Sequence, residues 1–218
     1  MPLDLTAYAR VRPFLYHLTD RVNLGRIRRT GELISVSELK KQTGKPAPAA
    51  ERRTAHSTIV VGGEEVRIRD QTPLYFGNVK LDEGWTPKRF VAHLDRHVFF
   101  WPGTPRAPID YGLRHFGRYE DEGPVVLRVR FLEVLEANPK SPPHFCRYNS
   151  GSPRMHGGRP SPRGASTFQR ADAVSYRPSA VVEVVFRDRV RLPDRLERSA
   201  APNGPWTPIR IDREASDG

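Results

Sequence analysis

The chain has 218 residues, enough for one domain with a substantial core. Apolar residues make up 37% and aromatics 9%, above the level of disordered chains, while 21 prolines and 17 glycines predict long irregular connections. Its single cysteine, Cys146, excludes an intramolecular disulfide and a cysteine-cluster zinc site, and a formal net charge of +11 favours polyanionic partners.

No basic-then-apolar leader opens the sequence, and no apolar run approaches the ~18 residues of a membrane span, so the expectation is a soluble cytoplasmic protein with no membrane partner. An arginine-rich composition throughout would produce the same charge excess, which makes local clustering the sharper test.

Residues 14 to 18 read as a buried strand, after which Thr19 and Asp20 open a helix that Leu24 and Ile27 face inward and Gly31 ends. From Lys40 to Arg53 the sequence is polar and aperiodic, which predicts a mobile loop. Thr58 to Val61 and Glu65 to Arg69 form a hairpin turned by Gly62-Gly63. Thr86-Pro87 starts a helix carrying Phe90, Val91 and Leu94 on one face, and His97 to Trp101 is a strand broken by Pro102-Gly103. Ile109 to Tyr119 is helical, Val125 to Val129 a strand and Phe131 to Leu135 a short helix.

Between Asn138 and Ala171 there is no Asp or Glu, while Lys140, Arg147, Arg154, Arg159, Arg163 and Arg170 all fall there. That is local clustering. Ala180 to Phe186 is the strongest strand pattern, and the chain after Leu196 looks frayed. Helices interrupt strands without a βαβ rhythm, which predicts an α+β domain over 1–198 with a mixed, mainly antiparallel sheet and a flexible tail over 199–218. Neither a dinucleotide-binding GxGxxG nor a P-loop is present.

Two residues invite chemistry. His17 interrupts one apolar strand and Glu183 another, where alternation places Glu183 on the face of Val181 and Val185. The competing readings are a satisfied core histidine and a charge on an edge strand. The remaining histidines, His56, His93, His97, His115, His144 and His156, lack metal-ligand spacing, and no metal is expected.

The run His17-Leu18-Thr19-Asp20-Arg21-Val22-Asn23-Leu24, continuing through Ile27 to Gly31, resembles the opening motif of the DarT-like ADP-ribosyltransferases. His97-Val98-Phe99-Phe100-Trp101 followed by Arg106-Ala107-Pro108-Ile109-Asp110-Tyr111 is similar to that family's aromatic strand and Arg-x-Pro segment, with Ile109-Asp110 in place of its usual Met-Leu. Arg177-Pro178-Ser179-Ala180-Val181-Val182-Glu183-Val184-Val185 looks like its loop and catalytic strand.

The resemblance implies a split β-sheet with flanking helices, NAD as substrate and no metal. It implies Glu183 as the catalytic carboxylate with Arg69, preferred to Arg52 and Arg53, as the assisting arginine, and His17, Thr19, Asn23, Arg106 and Tyr111 around the dinucleotide. Arg147, Tyr148, Asn149, Arg154, Arg159 and Arg163 are the candidate contacts to single-stranded DNA or RNA, since arginines hold phosphates while an aromatic stacks on a base. A toxin or anti-phage effector with a macrodomain antitoxin is the implied biology. An RNA 2′-phosphotransferase and a catalytically inert nucleic-acid-binding module are the alternatives.

Overall fold

The computed structural model describes residues 2–44, 50–155 and 157–212, so His156 and part of the expected loop after Lys40 lie outside the described residues. Helix α1 (Leu5–Val11) begins at Asp4, whose carboxylate accepts hydrogen bonds from the Thr6 and Ala7 amides. Strand β1 (Phe14–Thr19) leads through the single turn Arg21–Asn23 into α2 (Leu24–Thr30). Gly31, at φ 65°, ends that helix in the left-handed conformation that glycine adopts without strain.

Next come β2 (Glu32–Ile34) and α3 (Val36–Gln42), the latter capped by Ser35. The expected mobile loop is therefore partly helical, and Arg52 and Arg53 at its far end bond to backbone carbonyls. The hairpin β3 (Ser57–Val61) and β4 (Glu64–Ile68) turns on Gly62 and Gly63, both at positive φ, as the sequence leads one to expect.

Strand β5 (Val79–Leu81) precedes α4 (Pro87–Asp95), which Thr86 caps. Strand β6 (His97–Gly103) runs through Pro102 instead of stopping before it. Its β11 partner ends at Phe100, so the missing N–H costs no ladder bond on that side. The order continues with α5 (Asp110–Tyr119), β7 (Val125–Arg130) and α6 (Phe131–Ala137). The basic, proline-rich stretch then supplies β8 (His144–Cys146), β9 (Ser161–Arg163) and β10 (Gln169–Arg170).

Strand β11 spans Glu183–Arg187, three residues shorter at its start than the apolar run because Pro178–Ala180 forms a helical turn. Strands β12 (Arg189–Arg191), β13 (Leu196–Ser199) and β14 (Thr207–Ile209) complete the chain. The segment beyond Leu196, expected to fray, instead pairs β13 with both β7 and β14.

The architecture is α+β. Eight strands form one antiparallel sheet in the order β10-β8-β11-β6-β1-β7-β13-β14. One face packs a core in which Leu15, Phe100, Leu127, Val184 and Phe186 meet Tyr8 of α1, Ile27 of α2 and Phe131 of α6. The other face receives Phe90, Val91 and Leu94 of α4 against Val185, and Phe116 and Tyr119 of α5 against Tyr16. Burial on both faces explains why β11 reads as an uninterrupted apolar run rather than an alternating one.

The sheet opens at its centre. β1 pairs with β7 along all of Phe14 to Thr19, but with β6 only at Phe14, Leu15 and Tyr16. Beyond Trp101, β6 stays with β11 and leaves β1. Two leaves diverge there, and the strands of His17 and Glu183 are not neighbours, because β6 lies between them.

Candidate functional site

A cavity of about 290 Å3 occupies the wedge between the leaves. Glu183, the first residue of β11, stands on one side and is only 4% exposed. Its Oε1 accepts the Ser150 backbone N–H at 3.0 Å, while Oε2 is buried with no partner among the described residues. Burial pushes its pKa up to about 7, against the opposing pull of Ser150 and the Arg163 guanidinium. The Ser150 hydroxyl is buried beside the same carboxylate and adds to that pull.

Arg163 requires a correction. Expected to meet nucleic acid, it is 2% exposed and faces inward. Its Nη2 donates to the Asn149 carbonyl at 2.9 Å and its Nη1 to Ser161 and Pro162, while the guanidinium covers the Tyr148 ring at 4.6 Å. Arg163 thus fixes the Tyr148-Asn149-Ser150 turn that presents an amide to Glu183. Arg163→Ala removes a buried donor set and leaves the Asn149 carbonyl with only the long 3.4 Å bond from the Ser152 N–H, so a loss of about 1–3 kcal/mol is expected in urea unfolding. An unchanged midpoint would show that the turn holds itself.

Across the cavity, His17 Nδ1 lies 2.9 Å from the Phe99 carbonyl, in the gap where β1 and β6 have stopped pairing. Burial lowers its pKa to about 4, so the ring is neutral near pH 7. A carbonyl can only accept, which assigns the proton to Nδ1 and leaves Nε2 as an acceptor. Thr19 Oγ1 accepts from Asn23 Nδ2 at 3.2 Å, which leaves its own hydroxyl hydrogen available.

Asn23 lines the cavity, but its amide is engaged. It donates to the Arg67 carbonyl and accepts the Arg67 N–H at 2.8 Å, clamping the turn before α2 onto β4. Arg69 also lines the cavity, with Nη1 on Glu122, Nη2 on the Thr19 carbonyl and Nε unpartnered among the described residues. Arg53 reaches the same cavity, yet its Nη1 donates to both oxygens of buried Asp95 at 2.7 Å, and Arg52 stays outside it. Arg69 is the less committed of the two.

Other expected residues fall elsewhere. Tyr111 lies in a small adjoining depression and Arg106 is exposed on the connection after β6, so neither reaches the cavity. Aromatic walls come instead from Trp101, His115 and Tyr119, the last two spaced four apart on α5. Arg147 and Arg159 are exposed outside both hollows, Tyr148 packs under Arg147 and Arg163, Asn149 borders both hollows, and Arg154 borders the depression. Nothing in the sequence distinguishes Ser150 from Ser152, and only folding assigns the former to Glu183.

Among the described residues there is no group of three or more His, Cys, Asp or Glu that could hold a metal ion, and no helix long and apolar enough to cross a membrane. Fold and site together define an α+β protein with a two-leaf antiparallel sheet and a largely apolar cleft that holds one buried carboxylate in its wall. The chain belongs to the family described as "Family of unknown function (DUF7002)", whose model matches residues 13–196. No curated protein and no solved structure matches it.

Proposed function

We propose that the protein is an NAD-dependent ADP-ribosyltransferase with an ADP-ribosyltransferase-like split sheet, modifying nucleic acid as a toxin or anti-phage effector. The observation that carries this reading is the pairing, across one cleft, of a buried carboxylate oxygen lacking a partner with a neutral histidine whose proton is tied to a backbone carbonyl. Unpaired buried polar atoms are destabilising unless something fills them, and functional sites are where they persist.

The residues suit a cationic, hydroxyl-rich glycoside. Breaking the bond between nicotinamide and ribose proceeds through a transition state with oxocarbenium character. Glu183 would offset that positive charge from a site shielded from water, and a cation beside it would pull its raised pKa back down, favouring the ionised form. His17 Nε2 would accept from a ribose hydroxyl, and the Thr19 hydroxyl would donate. Arg69 Nε would donate to a phosphate oxygen. Asn23 acts as the clamp that holds Thr19 in place.

Incubation with labelled NAD and separate single-stranded DNA, RNA and protein pools tests the reading. Label in DNA or RNA is the expected result, and an ADP-ribose-removing macrodomain is the expected antagonist. Label in protein alone, or in no pool with nucleic-acid binding intact, would overturn it. Loss of a 2′-phosphate from RNA without gain of label would identify a phosphotransferase.

A further inference from the structure

The basic residues singled out in the stretch after Asn138 do not act as one patch, and a different set of arginines converges beside the cleft. On α5, Tyr111, Arg114 and Arg118 are spaced i, i+3 and i+7 and share a stripe, while Gly112, Phe116 and Tyr119 are buried. With Arg154 they border a depression of about 20 Å3 that shares His115, Asn149 and Ser152 with the main cavity. Arg114 covers the Tyr111 ring at 4.7 Å.

Charge balance separates the two hollows. The four arginines of the main cavity are paired, Arg26 with Glu64, Arg53 with Asp95, Arg67 with Asp20 and Arg69 with Glu122. Arg114, Arg118 and Arg154 are all exposed, and none has a carboxylate partner among the described residues. Three uncompensated guanidinium groups around one notch draw an anion with planar, bidentate geometry. At about 20 Å3 the notch is too small to enclose a ring system and suits a single phosphate group set at its mouth.

We propose that Arg114, Arg118 and Arg154 form a phosphate-binding subsite that holds the backbone of a single-stranded nucleic acid beside the cleft. This rests on the reading of nucleic acid as acceptor. The strand's phosphodiester is favoured over the diphosphate of NAD because His17, Thr19, Arg69 and Glu183 line the cavity and none of them lines the notch.

Binding of a fluorescent single-stranded oligonucleotide is measured across a salt series, without NAD, for the full chain and for Arg114→Ala/Arg118→Ala. Each phosphate contact to a single strand contributes about 0.7 to the logarithmic salt slope, so the double variant should lose about 1.4 from it and bind at least ~10-fold more weakly at low salt. Arg114→Lys/Arg118→Lys should keep the slope, since it keeps the charge. Arg187→Ala/Arg191→Ala, which removes equal charge from exposed positions outside both hollows, should leave the slope unchanged.

An unaltered slope in Arg114→Ala/Arg118→Ala, or an equal loss in the Arg187→Ala/Arg191→Ala control, overturns the subsite. Weaker NAD binding by calorimetry with oligonucleotide binding intact would show that the notch serves the dinucleotide, and would also overturn it. Because the oligonucleotide measurement needs no transfer, it decides the subsite even if labelled NAD yields no product.

Discussion

Glu183→Gln should abolish transfer, by a factor of about 10^2–10^4, and at the same time make the fold more stable at pH 8. The two effects share one cause. An ionised carboxylate is held in a place that water barely reaches, with one oxygen bonded to Ser150 and the other left without a partner among the described residues. Glutamine keeps the shape and the Ser150 bond while removing the charge. Because burial raises the folded-state pKa from 4.5 to about 7, the folded protein binds the extra proton between those values. Stability is then fully present below about pH 4.5 and is lost as pH rises through about 7. At about 1.4 kcal/mol per pH unit, the nominal cost is on the order of 3 kcal/mol. Melting temperatures of the two proteins at pH 5 and pH 8 provide the check. The variant should gain most at pH 8, and an equal or lower melting temperature there would mean that Glu183 is compensated in the folded protein.

Acidification should unfold the protein between about pH 6 and pH 4, through five histidines that burial holds neutral. His17, His93 and His97 are lowered to about 4 and His115 to about 3, and His144 is lowered as well. Desolvation leads in each case, and neighbouring cations oppose protonation further: Arg69 at His17, Arg96 and Arg187 at His93, Arg118 at His115, and Arg170 at His144. His93, His97 and His144 are also in ring contact with one another or with Phe168.

A lowered histidine contributes stability above its unfolded pKa of about 6.5, and that contribution is lost as pH falls towards the folded value. A shift from 6.5 to about 4 is nominally worth up to about 3 kcal/mol for one ring. Half that amount summed over His17, His93, His97 and His115 reaches the 5–15 kcal/mol of a typical domain. Glu183 works in the opposite direction over the same range, but one group does not offset five. Urea midpoints at pH 7.5, 6, 5 and 4 test this, and a midpoint independent of pH down to 4.5 would contradict it.

The features legible in the sequence are those set by neighbours in the chain. Gly31 ends α2 because the turn needs a left-handed residue, Gly62-Gly63 turns the hairpin for the same reason, and Thr86-Pro87 caps and starts α4. Helices α1 and α3 are no shorter than α2, seven residues each, but lack a glycine stop such as Gly31, and their cap residues Asp4 and Ser35 alone do not mark them out. Strands β8 to β10 have two or three residues each, and they acquire strand geometry only by pairing with partners far along the chain.

His17 and Glu183 could be picked out by themselves, since a titratable group inside an apolar run is an anomaly that any sheet must accommodate. Charge alone makes Arg163, Arg154 and Arg159 equivalent, yet the first is buried over the Tyr148 ring, the second borders the notch and the third is exposed outside both hollows. Composition, local turns and the two interrupted strands were determined by the sequence itself, because each depends on residues within a few positions. The insertion of β6 between β1 and β11, the splaying that opens the cleft, the exclusion of Tyr111 and the convergence of Arg114, Arg118 and Arg154 were decided by tertiary structure. Each depends on which distant strands exchange backbone hydrogen bonds, and that choice is made by the whole core at once.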